Sequence, residues 1–206
     1  KESLYRLLDI TPDFHGFLFC RTRHEVDSVT TALQQNGYNA EGIHGDLSQN
    51  QRERVLTKFR NKQCNILVGT DVAARGLDVK GSTHVINYSL PSSAEIYIHR
   101  IGRTGRAGLS GIAMTFVIPS EKFAFRKMQQ MLNRKIKQGF IPETKDLMKI
   151  KQQQFSERID TVIKENKQEQ FDTFAQSLLE THTDANQLVS ALLSIVLAAP
   201  VRAPQE

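Results

Sequence analysis

Cysteine is scarce in this chain, which has two such residues, Cys20 and Cys64, among 206. Each lies beside apolar residues, and their separation does not give the spacing of metal ligands. Thiols in such surroundings behave as small buried hydrophobic groups, and they stay reduced in the cytoplasm. We therefore predict two buried free thiols and a cytoplasmic location.

Long apolar runs are missing as well. No run reaches the ~18 residues that a membrane-spanning helix needs, and the longest, 188–200, is interrupted by Ser190 and Ser194. We find no signal peptide, and the chain begins at Lys1 without a start methionine. We expect a piece of a longer cytoplasmic protein that has no membrane contact.

The dipeptide Gly-Lys does not occur in the sequence. Its absence excludes a Gly-x-x-x-x-Gly-Lys-Ser/Thr loop, the element that cradles nucleotide phosphates in many ATPases. The net charge of +5 and the isoelectric point near 9.3 are modestly basic. They are compatible with a polyanionic partner but do not require one.

Short apolar runs and amphipathic segments alternate along the first two thirds of the chain. The predicted strands are 17–20, 38–43, 66–68, 83–88 and 111–118, and the predicted helices are 25–35, 48–59, a segment capped by Ser92 or Ser93, and 120–132. Alternation of strand and helix at this pitch predicts right-handed crossovers and a parallel sheet. The fold class is therefore α/β.

Polar residues follow several of these strands directly. Arg21 and Thr22 follow the first strand, the segment 44–46 (His-Gly-Asp) follows the second, and the segment 69–71 (Gly-Thr-Asp) follows the third. Ligands of parallel sheets bind beyond the carboxyl ends of the strands. A scatter of unrelated polar loops is the alternative, but we expect one shared site that also includes an arginine-rich stretch after the next helix.

That arginine-rich stretch is 97–108, Tyr-Ile-His-Arg-Ile-Gly-Arg-Thr-Gly-Arg-Ala-Gly. Arg100, Arg103 and Arg106 are three residues apart, so on a helical turn they share a face. Guanidinium groups stay charged and match phosphate oxygens in geometry. The alternative is a solvated basic turn paired with surface carboxylates, yet the stretch itself contains no acid. We therefore predict a phosphate-binding element.

A second dense stretch is 69–78, Gly-Thr-Asp-Val-Ala-Ala-Arg-Gly-Leu-Asp. The Thr70 hydroxyl can donate to a phosphate oxygen, and the Asp78 carboxylate can accept from a ribose hydroxyl or a guanidinium. Gly76 permits a tight turn between them. Taken alone, the stretch fits an ordinary strand-to-turn loop equally well.

Together these motifs closely resemble the second, carboxyl-terminal RecA-like domain of the DEAD-box RNA helicases, over roughly 17–132. Residues 16–22 are similar to motif IV of that family, 44–46 with Gln49 and Arg52 to its Gln-x-x-Arg element, and 70–78 to motif V. The segment 99–106 matches motif VI, His-Arg-Ile-Gly-Arg-x-x-Arg, without a departure. The resemblance implies a RecA-like parallel sheet with flanking helices.

The resemblance also implies roles for individual residues. Arg103 and Arg106 would reach the γ-phosphate of ATP across an interdomain cleft, one of them as an arginine finger, and Asp78 would hold the ribose. The residues implied at the contact with the amino-terminal RecA-like domain are Arg75, His99 and Arg100. The residues implied along the RNA backbone are Arg21, Thr22, Gly45, Gln49, Arg52 and Thr70. No Asp-Glu dipeptide occurs, so the missing amino-terminal domain would hold Mg²⁺.

The character of the chain changes after residue 138. We predict a RecA-like domain over 1–138, a linker over 139–143, a helical dimerisation domain over 144–199 and a tail over 200–206. The last helix, 185–197, is apolar on nearly all its faces and should therefore be buried. A twofold homodimer would bury it, and the layout resembles the dimerisation module of some bacterial DEAD-box proteins. The alternative is that it docks on its own core or on residues outside this chain.

The function predicted from the sequence is the second half of an ATP-dependent RNA helicase that unwinds short RNA duplexes. It would bind RNA backbone and supply arginines to ATP held elsewhere, and the chain alone would be inactive. Two alternatives remain open from the residues: a DNA helicase of the same superfamily, and a non-enzymatic oligomeric scaffold. The complete motif VI disfavours the scaffold, because a scaffold would not need the arginines at 103 and 106.

Overall fold

The computed structural model describes residues 1–11, 13–74, 82–105 and 110–197. It divides into two compact units, Lys1–Ile141 and Pro142–Glu206. The boundary between them falls within the segment 139–143. Each unit is described below by itself.

The first unit contains a five-stranded parallel sheet with the order β2-β3-β1-β4-β5. The strands are β1 (Gly16–Phe19), β2 (Ala40–Ile43), β3 (Ile66–Gly69), β4 (His84–Asn87) and β5 (Ile112–Thr115). The helices are α1 (Glu2–Asp9), α2 (Arg23–Gln35), α3 (Gln49–Arg60), α4 (Asp71–Ala74), α5 (Ala94–Ile101) and α6 (Lys122–Leu132). This confirms the predicted α/β class and RecA-like architecture.

The apolar core lies on both faces of the sheet because successive strand residues point to opposite sides. On one face, Leu18 of β1 packs with residues of α1 and α2, including Leu4 and Val29. On the other face, Phe17 packs with residues of α3 and α4, including Phe59. Strands buried on both faces are expected to read as continuous apolar runs, which explains why β1 and β3 were recognisable in the sequence.

Side-chain caps mark the beginnings of α2, α3 and α5. The Thr22 hydroxyl accepts from the Glu25 N–H at 3.1 Å, so α2 starts two residues earlier than predicted. Ser48 and Gln51 form a capping box at the start of α3. Of the two predicted caps of α5, Ser93 is the one that accepts, from the Ile96 N–H at 3.2 Å.

Both thiols are buried and free, as predicted. Burial raises the pKa of Cys64 to about 11, and it raises the pKa of Cys20 further. A thiol nucleophile reacts as the thiolate. Neither cysteine is therefore suited to act as a nucleophile near neutral pH.

Two histidines, the partly buried His15 and the buried His84, lie near the amino-terminal edge of the sheet. Burial lowers the pKa of His15, helped by the positive charge of Lys62, and burial also lowers the pKa of His84. Both side chains stack on aromatic rings, His15 on Phe59 at 4.1 Å between centroids and His84 on Phe14 at 5.2 Å. The folded state thus favours the neutral imidazoles.

The unfolded chain binds protons at these two imidazoles more readily than the folded chain does, so the free energy of unfolding should decrease as the pH decreases. We expect the free energy of unfolding to be fully present above the ordinary histidine pKa of about 6.5, and to decline as the pH falls through that value. Urea unfolding between about pH 8 and pH 5 measures the decline. His15→Gln should flatten it, whereas the exposed His24→Gln should not. An equal slope in all three proteins would contradict this prediction.

Between residues 142 and 197, the second unit contains three α-helices: α7 (Thr144–Lys164), α8 (Asp172–Thr181) and α9 (Ala185–Leu197). The Asp184 carboxylate caps α9, accepting from the N–H groups of Asn186 and Gln187 at 2.9 and 3.1 Å. The prediction of a buried last helix is not met within the single chain, since Ile195 is 77% and Val196 61% exposed. None of the described helices is long and apolar enough to cross a membrane.

Candidate nucleotide and nucleic-acid site

The carboxyl ends of the five strands lie at one edge of the sheet. In register with one another there are Ile43, Phe19, Gly69, Asn87 and Thr115, the last residues of their strands. The loops that follow the strands therefore meet at this edge. We call it the carboxyl edge.

Arg21 and Thr22 follow β1 at the carboxyl edge. The Arg21 backbone N–H donates to the Glu25 carboxylate at 2.7 Å. The exposed Arg21 guanidinium donates to the Glu121 carboxylate, which follows β5, at 3.0 Å. Thr22 caps α2 with its hydroxyl, and it is exposed to solvent. This corner thus presents a cation and a hydroxyl, with a carboxylate that holds the cation in place.

The loop after β2 brings the second predicted group to the same edge. The Arg23 guanidinium pairs with the Asp46 carboxylate beside Gly45. Gln49 is the first residue of α3 and is exposed. Arg52, one helical turn later, donates to the carbonyl oxygen of Ala73. Arg52 is therefore already engaged with α4, the helix that follows β3.

Thr70 and Asp71 follow β3 and begin α4. Thr70 is almost fully buried, and its carbonyl oxygen accepts from the Ala74 N–H at 3.0 Å. The Asp71 carboxylate receives two hydrogen bonds from one guanidinium, at 2.6 Å to Oδ1 and 2.8 Å to Oδ2. That guanidinium belongs to Arg100 in the arginine-rich stretch. The ion pair joins two motifs that are about thirty residues apart in the sequence.

Arg100 is only 3% exposed. Besides the pair with Asp71, its guanidinium donates to the Asn87 side-chain oxygen at 3.2 Å and to the Ser89 carbonyl at 2.8 Å. It also lies 5.1 Å from the centroid of the Phe19 ring. All these partners belong to its own domain. The guanidinium is thus held within its own domain, and the bridge to the amino-terminal domain that the resemblance implied stays a prediction.

The arginine-rich stretch does not stay at the carboxyl edge. Arg100 contacts residues at the end of β4, but the Thr104 hydroxyl donates to the Ser82 carbonyl, before β4 begins, at 2.7 Å. The chain thus crosses the sheet within about one helical turn. Within the described residues the stretch therefore extends from the carboxyl edge toward the start of β4, and the placement of Arg103 and Arg106 in one shared site stays a prediction.

The remaining predicted site residues are placed as follows. His99 is exposed on α5, and Arg103 is partly exposed in the turn that follows that helix. The Arg103 N–H donates to the Arg100 carbonyl at 3.1 Å. Arg75, Asp78 and Arg106 lie outside the described residues.

Asp71 was predicted to lie at this edge, but without a role of its own. Four other residues that organise the edge were not named from the sequence: Glu25, Asn87, Ser89 and Glu121. Their signal in the sequence is weak, because Glu25, Ser89 and Glu121 are common surface residue types in loops and first helical turns, and Asn87 is a single polar residue at the end of a strand. Glu25 illustrates this, since its carboxylate accepts from both the Arg21 N–H and the Ser89 hydroxyl, the latter at 2.6 Å. No cluster of three His, Cys, Asp or Glu side chains that could hold a metal ion occurs among the described residues.

Comparison with known proteins agrees with this arrangement. Residues 1–108 match the family model described as helicase conserved C-terminal domain. The chain is 44% identical over 203 residues to the DEAD-box ATP-dependent RNA helicase CshA of Bacillus licheniformis, and 44% identical over 203 residues to that of Bacillus subtilis. These alignments cover 98% of this chain but only 42% and 41% of the two relatives. The chain thus spans less than half the length of these relatives.

Solved structures give the same result. A DEAD box protein from Methanococcus jannaschii has a TM-score of 0.63 and 42% identity, over 68% of this chain and 38% of that one. The C-terminal domain of the DEAD-box protein Dbp5 has a TM-score of 0.59 and 31% identity, over 64% of this chain and 77% of that one. The Escherichia coli DEAD-box protein SrmB, solved with the regulator RraA, has a TM-score of 0.61 and 31% identity, over 70% of this chain and 84% of that one.

Proposed function

Because this chain belongs to the DEAD-box RNA helicases, as their carboxyl-terminal RecA-like domain, we propose that it forms half of an ATP-driven machine that opens short RNA duplexes. The other half is an amino-terminal RecA-like domain that carries the phosphate loop and holds Mg²⁺ with ATP. The setting we propose is the cytoplasm, which suits two free buried thiols.

The RNA backbone runs along the carboxyl edge in this proposal. Arg21, Thr22 and Gln49 are exposed there, while Gly45, Arg52 and Thr70 complete the proposed path. Guanidinium and hydroxyl donors at one edge suit phosphate oxygens, and such contacts fix the position of a nucleic acid without reading its sequence. Arg21 must exchange the Glu121 carboxylate for phosphate, which costs little because the Arg21 side chain is well exposed.

ATP is the substrate in the proposed reaction. Arg103 and Arg106 act on its γ-phosphate, Asp78 holds the ribose, and His99 with Arg75 faces the amino-terminal domain. ATP supplies the phosphoryl group that is transferred to water. The arginines stabilise the charge that develops on that group.

The observation that carries this proposal is the Asp71–Arg100 ion pair. It links the loop after β3, which borders the proposed RNA path, to the start of the arginine-rich stretch. A nucleic-acid site and a phosphate site are thus joined by a buried, doubly hydrogen-bonded contact. A non-enzymatic scaffold has no need of such a link.

The proposal predicts that the 206-residue chain alone hydrolyses ATP at no more than background rate. Adding the amino-terminal domain in one polypeptide should restore RNA-stimulated hydrolysis, measured as phosphate release. A matched single-stranded DNA should stimulate less, because a 2′-hydroxyl contact separates RNA from DNA. Robust hydrolysis by the chain alone, abolished by Arg106→Ala, would refute the division of the active site.

We also propose that the second unit forms a homodimer through residues 144–199. The support is the exposed apolar surface of its helices, which includes Phe174, Val189 and Ile195 at 64%, 51% and 77% exposure. A helix with apolar residues on most faces is stable when another surface covers it. The simplest surface that could bury these residues is the same unit of a second chain, related by a twofold axis.

Leu192→Asp should convert this dimer to a monomer, because a charge would be buried in the apolar contact. Light scattering at high micromolar concentration should give the mass of two chains for the unaltered protein and of one chain for the variant. Gln187→Glu adds the same charge to α9 at a polar position and should leave the dimer intact. A monomeric unaltered protein, or a dimeric Leu192→Asp variant, would contradict the proposal.

A further inference from the structure

The positive charge of this chain is concentrated in one short segment. Between 122 and 137 there are six basic residues and no acidic one. They are Lys122, Arg126, Lys127, Arg134, Lys135 and Lys137. Since the whole chain has a net charge of +5, the remaining 190 residues together carry −1. The segment consists of α6 and the turn after it, outside every motif discussed so far.

All six side chains are exposed, and within the described ranges none of them forms an ion pair. Some other basic residues of the first unit behave differently. Arg21, Arg23 and Lys58 are each paired with a carboxylate. The α6 surface therefore offers charge that the domain itself does not neutralise, and a polyanion fits it better than a neutral partner does.

The helix presents this charge on one side. Phe125, Met128 and Leu132 face inward, where they pack with Leu90 and Tyr97 in a small apolar cluster of their own. At 3.6 residues per turn, the opposite side carries Lys122, Arg126, Phe123, Lys127 and Met131 in neighbouring positions. Phe123 is 81% and Met131 71% exposed.

The turn after α6 returns two more cations to the same surface. Asn133 adopts the left-handed conformation, with φ of 48°, and the Arg134 N–H donates back to the Gln129 carbonyl at 3.3 Å. Arg126, Gln129, Gln130, Asn133, Arg134 and Lys135 then line an open groove of about 390 Å³. Its lining holds hydrogen-bond donors of both the guanidinium and the amide kind, and no carboxylate.

This surface is continuous with the proposed RNA path. Glu121, the residue before α6, holds the Arg21 guanidinium at 3.0 Å. From there α6 extends for about 15 Å, at ~1.5 Å per residue. An RNA strand that leaves the carboxyl edge beside Arg21 would therefore reach Lys122 next.

We propose that α6 and the turn after it bind single-stranded RNA, and that they extend the path of the strand beyond the motif residues. The cations contact phosphates, and Phe123 stacks on a base. Surfaces that bind single strands without sequence preference combine these two features, a positive groove and an exposed aromatic ring. An acidic protein segment would use the charge but leave Phe123 unexplained. The inference rests on the proposed function, since it continues that RNA path.

The test uses the whole helicase that contains this chain, with a non-hydrolysable ATP analogue and fluorescent oligouridylates of about 6 and about 16 nucleotides, a range that single binding domains cover elsewhere. Fluorescence anisotropy gives the affinities at several salt concentrations. Replacing Lys122, Arg126 and Lys127 with glutamine should weaken binding of the long RNA about tenfold and leave the short RNA unaffected. The slope of log affinity against log salt should fall by about 2, at ~0.7 per phosphate contact.

Phe123→Ala should also weaken binding of the long RNA about tenfold, with an unchanged salt slope, because stacking involves no counterion. The matched control replaces Lys145, Lys149 and Lys164 of α7 with glutamine. It removes the same charge and should bind both RNAs normally. Circular dichroism checks that each variant is folded.

The outcomes separate this inference from the proposed function. If Arg52→Gln with Thr70→Ala weakens binding of both RNAs while the α6 variants bind as the unaltered protein does, only the α6 inference is overturned, and an acidic protein segment becomes the better occupant. If the unaltered protein binds neither RNA, or if the Arg52 and Thr70 changes have no effect, the proposed function fails. An equal loss in the α7 control overturns the assignment to α6.

Discussion

Replacing Arg103 or Arg106 with alanine should lower RNA-stimulated ATP turnover of the whole helicase by about 10³-fold or more. An arginine that neutralises charge on a transferring phosphoryl group contributes about 10³–10⁵ in rate in related ATPases and GTPases. That factor corresponds to about 4–7 kcal/mol of the activation barrier. Phosphate release at saturating RNA and ATP measures the loss directly.

The matched control is Arg158→Ala, an exposed arginine of α7, which should leave turnover unchanged. RNA affinity provides a second readout, because the finger acts on the nucleotide and not on the strand. Both site variants should therefore bind RNA normally in the presence of the ATP analogue. Turnover that survives in Arg103→Ala and Arg106→Ala alike would remove the phosphate role from this stretch.

Asp71→Ala should destabilise the domain by about 3 kcal/mol. The change leaves the Arg100 guanidinium buried without its carboxylate, and breaking a buried pair in this way costs about 3–5 kcal/mol. We use the lower end of that range because the Asp71 side chain is about one third exposed. Urea unfolding of the 206-residue chain, followed by circular dichroism, measures the difference.

Asp46→Ala serves as the comparison for this second prediction. It removes the partner of Arg23, but both side chains of that pair are about 60% exposed, so the cost should stay below about 1 kcal/mol. If the two variants unfold at the same urea concentration, the Asp71–Arg100 contact does not stabilise the domain.

Much of the first unit could be predicted from local patterns. β1 and β3 are continuous apolar runs in a sheet covered on both sides, and Ser48 begins α3 with its capping box, so the signals lie within a few residues. α1 was missed, since its buried stripe consists only of Leu4, Tyr5 and Leu8. β5 proved shorter than predicted because it lies at the sheet edge with a partly exposed pattern.

The site was predicted less completely, and Arg100 shows why. Motif VI gives three arginines at equal spacing, and nothing in that spacing distinguishes an arginine that binds a ligand from one that stabilises the fold. The difference arises from Asp71 and Asn87, which two other strands bring to the same place. Burial of an arginine therefore depends on tertiary neighbours that a single motif does not contain.

The last helix shows the opposite error. Its apolar residues predict burial, yet Val189 and Leu192 are 51% and 45% exposed in the single chain. A hydrophobic pattern indicates that a surface should be buried, but it does not identify the molecule that buries it. The proposed homodimer is one answer that solution mass can test.

The position of α4 has a mechanical consequence. This helix is a single turn, and its backbone is held by Arg52 from α3 while its first side chain holds Arg100 from α5. Because the same four residues accept hydrogen bonds from Arg52 and from Arg100, the two contacts cannot change independently. Under the proposed function, an RNA strand that bound Arg52 would remove the donor of the Ala73 carbonyl from the very turn that holds Arg100 in place.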